Sequence, residues 1–132
     1  MTILVVDDDA ATRLLLRRVL LGRFNCEVLE AAGGAEALDV LGRTDVDLVM
    51  LDLQMPQVGG LDILRVLRGS ARGVSLPVII LTAEKHAEVV QEVVSLGIAD
   101  YLTKPLTIAL VTARLLKLFP DLDARAPHSA AH

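Results

Sequence analysis

Short aliphatic runs alternate with stretches of helical periodicity five times along the chain. Ile3–Val6 reads as a strand and is followed by a helix over about Ala10–Leu21, with leucines and Val19 on its inner face. Glu27–Ala31 predicts a second strand, and Ala35–Leu41 a short helix closed by Gly42. Leu48–Leu53 is the third strand, leading to a helix over about Leu61–Arg68 that ends at Gly69. Val78–Thr82, entered from Pro77, is the most uniformly apolar strand. A helix over about Ala87–Leu96 stops at Gly97, a brief strand spans Asp100–Thr103, and a last helix runs over about Thr107–Phe119.

Five strand–helix units with short links predict an α/β fold, a parallel sheet with helices on both faces. Right-handed crossovers leave few topologies, and the doubly wound five-stranded order 2-1-3-4-5 is the expected one. Its ligand crevice lies outside the carboxyl ends of the strands, where strands one and three diverge. The region 1–119 is expected as one domain, and 120–132 as a disordered tail or a linker stub.

Composition sharpens this picture at a few points. Hydrophobic residues make up 53% and aromatics only 2% of the 132 residues, so the core must be aliphatic. Strands buried on both faces have that character. The net charge of −4 supplies no basic field for nucleic acid. Arg13, Arg17 and Arg18 do cluster, and are expected on the solvated face of the first helix. A single cysteine, Cys26, excludes an internal disulfide and suits a reducing compartment. No run approaches a membrane span and no signal pattern opens the chain, so the cytoplasm is the expected location.

The chemistry gathers at the strand ends. VVDDD places Asp7 and Asp8 in the crevice, strand three ends at Asp52, strand four at Thr82, and Lys104 follows strand five. Adjacent strands lie ~4.8 Å apart, so a lysine after strand five could bridge most of the roughly 10 Å to strand three. A carboxylate ending an apolar strand is costly unless it is paired or binds metal. Three carboxylates in one crevice suggest a divalent cation, and hard oxygen donors favour Mg²⁺.

The ordered set VVDDD, LDLQMP, LTAE and YLTKP resembles the receiver domain of two-component response regulators, over roughly residues 2–119. The resemblance implies a flavodoxin-like (βα)5 fold in which Asp52 is phosphorylated by a histidine kinase or a histidine phosphotransfer protein. It implies Mg²⁺ held by Asp8, Asp52, Asp7 and the backbone carbonyl of Gln54, with Lys104 pairing a phosphoryl oxygen. Thr82 and Tyr101 would be a switch pair, moving a surface of the fourth helix, fifth strand and fifth helix. Gln54 and Glu84 would shape water access to the phosphoryl group. The Lys104–Pro105 bond would be a candidate for the cis form. The reaction would be self-catalysed, with no outside substrate. Gly59, Ile98 and Leu106 depart from the family pattern, which usually has an acidic residue, Ala and Phe there.

Other residues have plainer expectations. Asp9 caps the first helix, Gly59-Gly60 forms a turn into the third helix, and His86 faces solvent at a helix start. His128 and His132 have no assigned role. The last helix is apolar at Ile108, Leu110, Val111, Leu115, Leu116 and Leu118, wider than one core stripe. With Val89, Val90, Val93 and Val94 before it, this predicts either an exposed partner or homodimer surface including Val90, Val94, Ile108 and Val111, or two core helices more apolar than their packing requires. The downstream target or output domain would lie outside this chain. A haloacid-dehalogenase-type phosphohydrolase shares the Asp7-x-Asp9 spacing, but Ala11 stands where its threonine is expected. An acidic first loop would repel the phosphate of a flavin.

Overall fold

A computed structural model describes residues 1–125. The strands are β1 (Thr2–Val6), β2 (Glu27–Ala31), β3 (Leu48–Leu51), β4 (Val78–Thr82) and β5 (Asp100–Thr103). They alternate with α1 (Ala10–Arg23), α2 (Gly34–Arg43), α3 (Gly60–Arg68), α4 (Ala87–Leu96) and α5 (Ile108–Leu118). Every strand pairing is parallel, and the order is β2-β1-β3-β4-β5, as the pattern of runs predicts.

Alternation along the strands divides the core in two. Ile3, Val5, Leu48, Met50, Ile79 and Leu81 face α1 and α5, meeting Leu16, Leu20, Val111 and Leu115. Leu4, Val6, Val49, Leu51, Val78 and Ile80 face the other way, against Ala37 of α2, Ile63, Leu64 and Leu67 of α3, and Val93 of α4. The central strands β1, β3 and β4 are thus buried on both sides, which is why they read as unbroken aliphatic runs. Tyr101, Phe24 and Phe119 sit outside these three strands. Among the described residues, no helix is long and apolar enough to cross a membrane.

Several boundaries differ from the sequence expectation. α2 continues through Gly42 and stops at Arg43, with Thr44 as its C-cap. β3 ends at Leu51, two residues early, because the chain turns after Asp52 so that the Leu53 carbonyl can accept from the Gly60 N–H at 3.3 Å. Asp9 is the N-cap of α1 as expected, accepting from the Ala11 N–H at 3.1 Å. At α3, where Gly59 cannot cap with a side chain, Asp62 reaches back to its N–H at 3.2 Å.

The segment after α5 packs back on α1 as far as it is described. Pro120–Leu122 form a 3-10 turn, and Asp123 pairs with Arg23 through Oδ1 at 2.8 Å and Oδ2 at 3.2 Å. The Asn25 N–H donates to the Leu122 carbonyl, and the Ala124 N–H to that of Arg23. The expected tail therefore begins with a stretch folded against the end of α1. Residues 126–132, including His128 and His132, lie outside the described residues.

Candidate functional site

Three residues just beyond the strands are held by continuations of the sheet ladder. The Asp7 N–H donates to the Ala31 carbonyl at 3.1 Å, Asp52 to Val6 at 2.9 Å, and Lys104 to Thr82 at 3.0 Å. Their side chains consequently share the carboxyl edge of the sheet. Asp7 is fully buried, Asp52 is 2% exposed, and Asp8 is exposed to solvent. Oxygens of the three carboxylates lie within 4.8 Å of one another.

Lys104 does span to strand three. Its Nζ lies 3.3 Å from Asp52 Oδ2 and 2.7 Å from Asp7 Oδ2. Asp52 Oδ1 accepts from the Gln54 N–H at 3.1 Å, and Asp7 Oδ1 from the Asp9 N–H at 2.9 Å. Asp7 Oδ2 has no partner in hydrogen-bond geometry, although it is wholly buried. The Lys104–Pro105 peptide is cis, as the resemblance suggested.

The electrostatics follow from this crowding. Burial pushes the Asp52 carboxyl above its ordinary value; the Gln54 N–H opposes the shift, the Asp7 charge adds to it, and Lys104 counters it. Burial also works against the charged Lys104, but its close ion pair with Asp7 and the charge of Asp52 outweigh it, so its pKa is raised. One lysine thus serves two buried carboxylates. A hard divalent cation fits the donor set: oxygens of three carboxylates, two of them buried with one lysine between them, beside an exposed third.

Thr82 is fully buried, and its Oγ1 accepts from the Glu84 N–H at 3.2 Å. Tyr101 is half-buried and donates to the Glu84 carbonyl at 2.9 Å. The two residues are therefore joined through one peptide segment of the β4–α4 loop. The Glu84 carboxylate turns toward the entrance of α4, where it meets the N–H groups of Lys85 and His86 and the His86 ring Nδ1 at 2.6 Å. The N–H and ring of His86 hold the Glu84 carboxyl below its usual value. Local sequence placed Glu84 near the crevice but could not show that α4 would claim its side chain. His86 is the exposed N-cap of α4.

Backbone demands close to Asp52 are severe. A Cβ on Gly60 would lie 2.1 Å from the Asp52 carbonyl oxygen, and one on Gly34 would lie 2.3 Å from that of Val58. The β3–α3 loop is wedged between α2 and α3 by these two glycines. Gln57 adopts φ 64° within it. A β-branched residue is much worse there than Gln, so Gln57→Val is expected to lower stability by about 1–2 kcal/mol in urea melts. An unchanged midpoint would show that the loop relaxes freely.

The predicted partner surface needs correction. Val94 and Ile108 are 58% and 61% exposed, and Val90 is half-buried, but Val111 is fully buried. It packs in the core between α5 and the sheet. The broad apolar face of α5 is explained by Leu110, Leu116 and Leu118 packing at the margins of that core. Of the arginine cluster, Arg17 and Arg18 are exposed, whereas the Arg13 side chain is only 19% exposed. The signal was available: Arg13 precedes Leu16 and Leu20 at the i, i+3, i+7 spacing of the buried stripe.

The family model for the response regulator receiver domain matches residues 3–116. The chain is 36% identical over 124 residues to chemotaxis protein CheY-3 of Vibrio cholerae, covering 92% of this chain and 94% of that protein. It is 41% identical over 130 residues to response regulator MprA of Mycobacterium tuberculosis, covering 98% of this chain and 54% of that protein. It thus spans about half the length of MprA. Among solved structures, the signal receiver domain of a signal transduction histidine kinase from Syntrophus aciditrophicus superimposes with a TM-score of 0.80 at 26% identity, covering 96% of this chain and 95% of that one. Vibrio cholerae CheY4 gives 0.77 at 28% identity, covering 92% and 97%.

Proposed function

The chain belongs to the response regulator receiver domain family of two-component systems, and from that membership we propose that it is switched by phosphorylation of Asp52. The donor is a phosphohistidine on a histidine kinase or a phosphotransfer protein. A single observation carries this reading: Asp52, next to Asp7 and Asp8 at the carboxyl edge of the sheet, shares Lys104 with the buried Asp7. The Asp52 carboxylate attacks phosphorus, the bond from phosphorus to the histidine nitrogen breaks, and an aspartyl phosphate forms. Lys104 is placed to neutralise a phosphoryl oxygen as a point charge.

Asp8, Asp52, Asp7 and the Gln54 carbonyl would hold Mg²⁺. When bound, that ion neutralises charge on the transferring phosphoryl group. Thr82 would rotate from the Glu84 N–H toward the phosphoryl group, and Tyr101 would follow as the β4–α4 loop shifts. Gln54, exposed beside Asp52, would tune hydrolysis. Val94 and Ile108, with half-buried Val90, would contribute to the α4–β5–α5 surface read by a downstream protein or a second copy of the chain. The domain would act in the cytoplasm and turn over only its own phosphoryl group.

The test is intact mass after incubation with acetyl phosphate and Mg²⁺. One added phosphoryl group is expected on the wild type, none with EDTA, and none on Asp52→Asn. Equal labelling of Asp52→Asn would remove Asp52 from the role. A wild type that neither labels nor binds beryllofluoride would overturn the whole reading.

A further inference from the structure

Arg13 is the one member of the α1 arginine cluster drawn into the fold. Its Nη1 donates to the main-chain carbonyl of Asp7 at 2.6 Å, and its Nε lies 3.3 Å from Glu30 Oε1. Glu30 is the penultimate residue of β2 and also meets Arg17 at 3.4 Å. The guanidinium therefore ties the β1–α1 turn to the neighbouring strand. Asp7 is anchored at three further atoms: its N–H on Ala31, its Oδ1 on the Asp9 N–H, and its Oδ2 beside Lys104. Among the described residues, the Arg13 bond alone holds the carbonyl of the peptide that leads on to Asp8, whose exposed carboxylate completes the cluster.

We propose that Arg13 is a positioning residue of the acidic site: by clamping the Asp7 carbonyl against Glu30, it keeps Asp8 in cation-binding register with Asp7 and Asp52. The inference rests on the cluster being a Mg²⁺ site. It has an unusual sign. A positive charge near a cation site weakens cation binding, so if Arg13 acted only through its charge, removing it would tighten Mg²⁺. If it positions the ligands, removing it loosens Mg²⁺. A lysine keeps the charge but cannot fork between a carbonyl and a carboxylate.

The measurement is Mg²⁺ affinity by titration calorimetry on the unphosphorylated full chain, for the wild type, Asp8→Asn, Arg13→Lys and Arg13→Gln. Thermal melts in EDTA run beside it. Both arginine variants are expected to bind Mg²⁺ about tenfold more weakly, the usual effect of losing an outer-shell support. Wild-type affinity in Arg13→Lys, or tighter binding in Arg13→Gln, would overturn the positioning role while leaving the Mg²⁺ site intact. A wild type that shows no Mg²⁺ binding would remove the site and the role of Arg13 together. A melting temperature lowered with affinity unchanged would make Arg13 structural only, and would likewise overturn it.

Discussion

Lys104→Met is expected to lower the stability of the metal-free protein at neutral pH by about 2 kcal/mol, below the 3–5 kcal/mol typical of breaking a fully buried ion pair because the lysine remains one-fifth exposed. The loss does not come from packing, since Met retains most of the lysine stem. It comes from leaving Asp7 and Asp52, both buried, without their shared cation. The same reasoning gives an opposite result for Asp52→Asn. Because the Asp52 carboxyl is raised above its ordinary value, mainly by burial, its charged form is less favourable folded than unfolded. The neutral isostere is therefore expected to stabilise the metal-free protein. In the double variant, Asp52→Asn should offset much of the Lys104→Met loss.

The pH dependence follows with a definite sign. Between the ordinary carboxylate pKa and the raised value of Asp52, the folded state binds more protons than the unfolded state. The contribution of Asp52 to stability therefore falls as pH rises through that window, and the cost persists above it. Urea midpoints measured across the mildly acidic range should show this decline in the wild type and a shallower one in Asp52→Asn. Identical profiles would mean that Lys104 already compensates Asp52 completely.

Gly60→Ala is expected to be the most damaging of the small substitutions, costing about 3 kcal/mol, at the upper end of overpacking effects. The added Cβ would meet the Asp52 carbonyl oxygen at 2.1 Å and the Leu53 Cα at 2.9 Å, all backbone atoms that cannot swing aside. Either α3 or the end of β3 has to move, so under the proposed function phosphoryl labelling should fall with stability. Gly22→Ala is the control. It lies inside α1 with nothing within 4 Å of a new Cβ, and should gain about 0.5–1 kcal/mol by favouring the helix. The same chemical change thus has opposite signs at two helical positions. Equal effects in guanidinium melts would show that the contact under Asp52 relaxes without cost.

The sequence by itself determined the strands, their order and the main members of the site. Short aliphatic runs alternating with helical patterns read as strands buried on both faces, and parallel connections through helices then restrict the topology. Once that order is known, Asp7, Asp8, Asp52, Thr82 and Lys104 must share one edge, because each follows or ends a strand in the same sense. Tertiary structure alone decided what each side chain meets across a gap. Val111 and Ile108 belong to the same apolar helix, yet one is in the core and the other in solvent, according to where α5 sits on the sheet. Glu84 is claimed by the start of α4, and Asp123 closes on Arg23 from 100 residues away. Gly60 shows no local pattern that would reveal the Asp52 carbonyl above it. Periodicity reports the face on which a residue lies; burial, ion pairing and steric tolerance depend on the partner opposite, which only the assembled fold supplies.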